Sequence, residues 1–265
     1  VSCSGFAEAI IARFWTLISR SSVIINHSKQ FIFFANRKTA STSTAIALSS
    51  SCDHNDVITP LGRDEKIRKE LGCQGPTNFI PWRNEINYFA IKAKAKILKK
   101  GVTRELKTIG LRTHIGVNEA LTKNYIKPSI LEDYYSFCFI RNPWDHALSQ
   151  FFKLKKDKKW HSLDLDTFIN DGTLEAFATS CRSIYSHEGE ILVKHLYQFE
   201  KLQETIENIF KALNLTGNPE LPRAKSNLRS DKRSYRELIN SSQKIKLNAS
   251  LPSKLNGANI TSRYL

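Results

Sequence analysis

Two short apolar runs constrain this chain most. The first, Phe31-Ile32-Phe33-Phe34-Ala35, leads into Asn36-Arg37-Lys38-Thr39-Ala40-Ser41-Thr42-Ser43. The second, Tyr135-Ser136-Phe137-Cys138-Phe139-Ile140, leads into Arg141-Asn142-Pro143-Trp144-Asp145, with Ser149 a few residues on. A continuous apolar run of this length suits a strand buried on both faces, as in the middle of a parallel sheet. Each run then enters a polar, cationic turn and a helical stretch. Strands alternating with helices argue for an α/β fold with a parallel sheet. Further helices are expected at residues 41–50, 64–71, 84–100, 117–124, 143–156, 166–170 and 200–213. Weaker strand signals lie at 106–113 and 191–199. Leu202, Ile206, Ile209 and Leu213 form the apolar stripe of the 200–213 helix. Residues 1–28 carry no clear assignment and are taken as an N-terminal extension. Residues 29–240 are expected to form one domain, and 241–265 a polar tail.

Bulk properties narrow the partners. The chain has 265 residues and a formal net charge of +15. Such an excess points to an anionic ligand or partner, or to a generally basic, solvated surface. The five cysteines (Cys3, Cys52, Cys73, Cys138 and Cys181) are scattered and include no CxxC. They read as free thiols in a reducing compartment, with no structural zinc. No apolar run is long enough to span a membrane, and residues 6–18 lack a signal-peptide cleavage site. Together these features point to a cytoplasmic protein without a membrane span.

The two turns carry the chemistry. In the first, backbone N–H groups and a helix N-terminus favour a phosphate or phosphosulfate. Lys38 adds a mobile charge, and Thr39, Ser41, Thr42 and Ser43 add hydroxyl donors. There is no GxxxxGK[ST], so an ordinary ATP or GTP site is poorly supported. The plainer alternative is a Ser/Thr-rich connection with Ser41 as N-cap. In the second turn, Asn142-Pro143 sets the helix start, and Arg141 with Ser149 can jointly hold a phosphate. There the alternative is an Arg141–Asp145 pair with Trp144 simply packing. Two such units in one sheet can hold the two ends of one polyanion. A nucleotide phosphorylated at both its 5′ and 3′ positions has that layout.

Taken together, these segments resemble the carbohydrate-type sulfotransferases (sulfotransferase family 2, including bacterial members). Residues 37–43 look like that family's 5′-phosphosulfate loop, and 139–149 like its 3′-phosphate motif. His146 stands where the family usually has Arg, a departure expected to leave the phosphate contacts untouched. Tyr197-Gln198-Phe199-Glu200-Lys201-Leu202 resembles a later strand-to-helix junction. Leu221-Pro222-Arg223-Ala224-Lys225-Ser226 and residues 229–236 resemble a final basic nucleotide loop. The resemblance covers roughly residues 29–239.

What the resemblance implies is a P-loop-like three-layer fold, with a central parallel β-sheet flanked by helices. It also implies 3′-phosphoadenosine 5′-phosphosulfate (PAPS) as co-substrate, no metal, and a hydroxyl acceptor, a carbohydrate that can itself be anionic. Arg37, Lys38, Thr39, Ala40, Ser41, Thr42, Ser43, Arg141, Ser149, Lys225 and Arg229 would bind the donor. Lys38 would also be catalytic, stabilising the oxygen that bridges sulfur and phosphorus as it gains charge. His114, in Arg112-Thr113-His114-Ile115-Gly116, is the candidate base, with Glu85 and Asp64 as alternatives. The run Lys92, Lys94, Lys96, Lys99 and Lys100 could attract an acidic glycan or form a solvated helix face. Trp82, Phe79 and Tyr88 could stack on sugar or pack in the core.

The tail departs from the family's ending. Residues 254–262 can be encoded so that another frame reads I-E-W-S-K-Y-N-F, a string that resembles it. That points to a frameshift near 241–250. Rival classes stay open at this level: a P-loop-like nucleotide kinase, a basic nucleic-acid-binding protein, and a degenerate, inactive sulfotransferase. Nucleic acid is not the expected partner. The acceptor's identity and the oligomeric state are not encoded in these motifs.

Overall fold

The computed structural model of the chain describes residues 22–80, 90, 111, 115–222, 233 and 235–249. Five strands form the main sheet. They are β1 (Val23–Asn26), β2 (Phe31–Phe34), β3 (Val57–Ile58), β4 (Tyr135–Ile140) and β7 (His195–Gln198), in the order β3-β1-β2-β4-β7. β2, β4 and β7 run parallel, while β1 is antiparallel to both β2 and β3. The architecture is therefore mixed α/β, and the expectation of a parallel sheet holds only for its β2-β4-β7 half. The reason is local. β1 and β2 are joined by a short turn in which Asn26 Oδ1 accepts from the Lys29 amide at 2.7 Å, and Gln30 takes a positive φ. A connection this short allows only an antiparallel neighbour; a parallel one needs a crossover. The sheet thus begins at Val23, inside the stretch left unassigned by sequence.

Cover on both faces explains why β2 and β4 are almost wholly apolar. Phe31, Phe33, Phe137 and Phe139 point to one face and pack with Ile46, Leu48, Leu202, Ile206 and Ile209. Ile32, Phe34 and Cys138 point to the other, with Ile115, Val117, Ile184 and Leu196. All four phenylalanines are fully buried. Each contributes about 1.5–3 kcal/mol of transfer free energy. Helix α1 (Ser41–Ser49) is buried along its whole length. Its Ser, Thr and Ala side chains are small enough to let the backbone lie close to the sheet. Ser49 Oγ bonds the Ile46 carbonyl at 2.7 Å, and Thr44 Oγ1 the Ala40 carbonyl at 3.3 Å, which satisfies two fully buried hydroxyls.

Short helices follow: α2 (Glu65–Glu70), α3 (Val117–Thr122) and α4 (Pro128–Asp133). A separate helical core lies beyond β4. It is built from α5 (Pro143–Lys155), α6 (Leu165–Asn170) and α7 (Thr173–Arg182), with Leu148, Phe151, Phe168, Phe177 and Ile239 at its centre. A small hairpin, β5 (Ser186–His187) and β6 (Glu190–Ile191), turns through Glu188 and Gly189, both at positive φ. That is the geometry a two-residue hairpin turn requires. The expected 191–199 strand is thus divided between β6 and β7. Helix α8 (Leu202–Ala212) buries Leu202, Ile206, Ile209 and Phe210, and the expected fourth stripe position, Leu213, is partly buried against the same core. After α9 (Tyr235–Leu238), α10 (Ser241–Ala249) docks on α6. There Gln243 Nε2 donates to Asp166 Oδ1 at 2.9 Å, and Lys246 Nζ to Asn170 Oδ1 at 3.0 Å. The start of the expected tail is therefore helical and in contact with the fold.

Candidate functional site

β2 and β4 are adjacent, with Phe34 opposite Cys138; β7 lies next, with Gln198 opposite Ile140. All three parallel strands therefore end at the same edge of the sheet. The carboxyl ends of parallel strands are where open α/β sheets bind ligands. The two turns singled out by sequence stand side by side at this edge.

The first turn is shaped by its backbone. Asn36 Oδ1 accepts from the Arg37 amide at 2.8 Å, and Thr39 Oγ1 donates to the Asn36 carbonyl at 3.1 Å. Lys38 and Ala40 adopt φ of 59° and 51°. The left-handed conformation costs a non-glycine residue about 1–2 kcal/mol. Alternating hands of this kind curl successive N–H groups into a concavity that suits an anion. Ala40 occupies the cap position of α1 and provides no side-chain hydrogen bond. Capping by Ser41, the plainer expectation, does not occur. Arg37, Thr39, Ser41, Thr42 and Ser43 are all buried, Lys38 is half-buried and Ala40 is exposed.

The second turn is shaped by side chains. Asn142 Oδ1 accepts from the amides of Trp144 at 3.1 Å and Asp145 at 3.3 Å, with Pro143 in the first helical turn. The Asn142 amide donates to Glu200 Oε1 at 2.8 Å, which ties in the residues after β7. Arg141 lies over the Phe199 ring, 4.5 Å from its centroid. Its Nη1 donates to the Lys38 carbonyl at 3.2 Å. Ser149 is half-buried on α5, about 9 Å along the axis from Pro143 at 1.5 Å per residue.

His146 touches the first turn directly: Nε2 lies 2.6 Å from the Arg37 carbonyl oxygen. A carbonyl only accepts, so Nε2 carries the proton. The ring stands edge-on to Phe177 at 4.9 Å, with Cys181 Sγ 3.9 Å from Nε2. Burial pushes its pKa down to about 3; the nearby cations Arg141, Lys38 and Arg37 act in the same direction, and the bond to the Arg37 carbonyl opposes them. The imidazole is thus neutral at ordinary pH.

Arg37 also lines a small cleft of about 140 Å³ with Asn118, Glu119, Ser180, Ser183 and His187. Gly116 makes this cleft possible, because a Cβ there would collide with the Ser183 carbonyl. Glu119 accepts from Lys123 Nζ at 2.7 Å. None of the cleft residues except Arg37 was singled out as binding by sequence. Hydroxyls and one carboxylate drawn from three separate elements leave no linear signal.

Arg37, Lys38, Thr39, Ala40, Ser41, Thr42 and Ser43 are thus brought next to Arg141, with Ser149 further along α5. His114, Lys225 and Arg229 lie outside the described residues, as do Glu85, Trp82, Tyr88 and the 92–100 lysines. Asp64 sits in the short turn before α2, and Phe79 packs against the core face that holds Phe34. Phe199 and Glu200 belonged to a recognised segment but not to the expected site. Their signal was position: they follow β7 directly. Among the described residues, no group of His, Cys, Asp and Glu could hold a metal ion, and no helix is long and apolar enough to cross a membrane. No protein-family model, curated protein or solved structure matches the chain.

Proposed function

We propose that this chain is a PAPS-dependent sulfotransferase with a P-loop-like donor site, acting on a hydroxyl acceptor of carbohydrate type. One observation carries this: the two cationic turns meet at one sheet edge, and Arg141 of the second is bonded to the Lys38 carbonyl of the first. A bisphosphorylated nucleotide would span them. Its 5′-phosphosulfate lies on residues 37–43, and its 3′-phosphate on Arg141 and Ser149. Lys225 and Arg229 complete the donor set.

Chemistry follows from charge. The acceptor hydroxyl attacks sulfur in line, forming the new S–O bond as the bond to the bridging oxygen breaks. Charge gathers on that oxygen, and Lys38 stabilises it. One cation so placed is worth about 10²–10³ in rate. The hydroxyl proton goes to a base, for which His114 is proposed. The cleft beside Arg37, rich in hydroxyl groups, is the proposed approach for the acceptor. No step calls for a metal.

A thermal-shift comparison tests the donor assignment. Adenosine 3′,5′-bisphosphate should stabilise the protein well beyond ADP, by about 2.7 kcal/mol at a hundredfold excess over Kd. Equal shifts from the two nucleotides would remove the second turn from the site.

A further inference from the structure

We propose that His146 is a positioning residue which, with Arg141, holds two consecutive carbonyls of the first turn so that the Lys38 and Thr39 amides face the bound anion. This rests on the donor site proposed above. It goes beyond it by giving a defined task to a side chain on the neighbouring helix.

The geometry is as follows. His146 Nε2 grips the Arg37 carbonyl at 2.6 Å, and Arg141 Nη1 grips the Lys38 carbonyl at 3.2 Å. Both side chains come from the β4–α5 unit. No described peptide bond is cis. In a trans peptide the C=O and the following N–H point in opposite directions across one plane. Holding the Arg37 carbonyl therefore aims the Lys38 N–H away from α5, and holding the Lys38 carbonyl does the same for the Thr39 N–H. Lys38 itself has φ 59° and Ala40 φ 51°, conformations that non-glycine side chains resist. Such backbone persists only when its surroundings over-determine it. The two grips provide that constraint from outside the turn.

His146 suits this task because it is fixed and neutral. Phe177 meets the ring edge-on, and Cys181 closes on Nε2. The charged groups facing it are Arg37, Lys38 and Arg141, all cationic, so no neighbouring charge favours an imidazolium; the bond to the Arg37 carbonyl does, but burial outweighs it. The ring donates through Nε2–H without placing another charge under the turn. A lysine or arginine could make the same bond only by adding a cation.

The test separates anchoring of the 5′ end from general stability. The affinities of adenosine 3′,5′-bisphosphate and adenosine 3′-monophosphate are measured by calorimetry. Their ratio isolates what the first turn contributes. In the unaltered protein the bisphosphate should bind more tightly by at least about tenfold. His146→Leu, which removes the donor, should bring that ratio towards one. His146→Gln, whose amide can donate from nearly the same place, should keep it within about threefold of the original, since a retained hydrogen bond retains its share of affinity. Should the leucine variant fail to fold, His146→Asn serves instead, because its shorter amide cannot reach the carbonyl. A merely structural His146 would weaken both ligands alike and leave the ratio unchanged, which overturns the inference. A ratio near one in the unaltered protein removes the 5′ end from this turn, and the donor reading fails with the inference. Only the first of these two failures leaves the donor site standing.

Discussion

The two turns at the sheet edge are held in shape by opposite means. The turn after β4 caps its own helix: Asn142 accepts from two of its amides, Pro143 starts it, and Arg141 reaches across to the other turn. The turn after β2 does not. Its cap residue is an alanine in the left-handed region, and two of its carbonyls are held by side chains from the other turn's helix and strand end. The first turn therefore offers backbone, and the second offers side chains. An anion bound to backbone amides is held by shape, and one bound to a guanidinium by charge and fork geometry. Substitutions should therefore act differently in the two places.

The largest effect is expected at Lys38. On the proposed mechanism, Lys38→Ala should lower turnover by about 10²–10³ while the fold is kept, since there its charge would act chiefly as the bridging oxygen develops charge. Turnover assays with a melting curve on the same preparation check this, and a near-normal rate would exclude Lys38 from the chemistry. Next comes Arg141→Ala, which removes the outward fork and one of the two grips. Bisphosphate affinity should drop by tenfold or more, and Arg141→Lys should not restore it, because a point charge cannot replace the fork. Calorimetric titration of both variants decides that.

Acid should then distinguish the turns. His146 has a folded pKa near 3 against an ordinary value of 6.5. The unfolded chain takes up this proton first, so the contribution is present above about 6.5 and is lost as pH falls towards 3. His146→Gln should flatten that limb of the stability–pH curve, followed by chemical denaturation between pH 4 and pH 8; an unchanged limb would mean that other groups set it. Asn142→Ala should cost about 1 kcal/mol of stability through the lost cap, with the bisphosphate-to-monophosphate ratio unaltered. The smallest effect is Ala40→Gly, which relieves the left-handed backbone and should raise stability by about 0.5–1 kcal/mol, the added chain entropy of glycine offsetting part of the gain. A loss of stability there would show that the methyl group, and not the backbone, matters at that position.

Much of this arrangement was legible from residues alone. β2 is an uninterrupted apolar run, β4 is apolar but for Ser136, and α8 repeats its buried residues at helical spacing. β1 and β3 were not legible. Val23–Asn26 is a brief apolar run with no helix signal after it to set it apart, and Val57–Ile58 is two residues, too short for a period to form. Helix α7 does carry a stripe, Leu174, Phe177, Ala178 and Cys181, visible once the cysteine is counted as apolar. Within the site, the residue types and their spacing in the two turns were readable, because cations and hydroxyls after a buried strand are a local pattern. The grip of His146 was not. Its partner is a backbone carbonyl, which every residue has, so nothing in the sequence marks it.

Arg141 gives the two turns a shared fate. One guanidinium belongs to the second turn by sequence and to the first by its bond to Lys38. An anion that drew Arg141 towards itself would act on the neighbouring turn through that bond. Linkage makes any such influence reciprocal: by whatever factor an anion on one turn changes affinity at the other, the converse holds by the same factor. Two fragments, each carrying one end of the proposed donor, should therefore not bind with independent energies. Each should report the presence of the other.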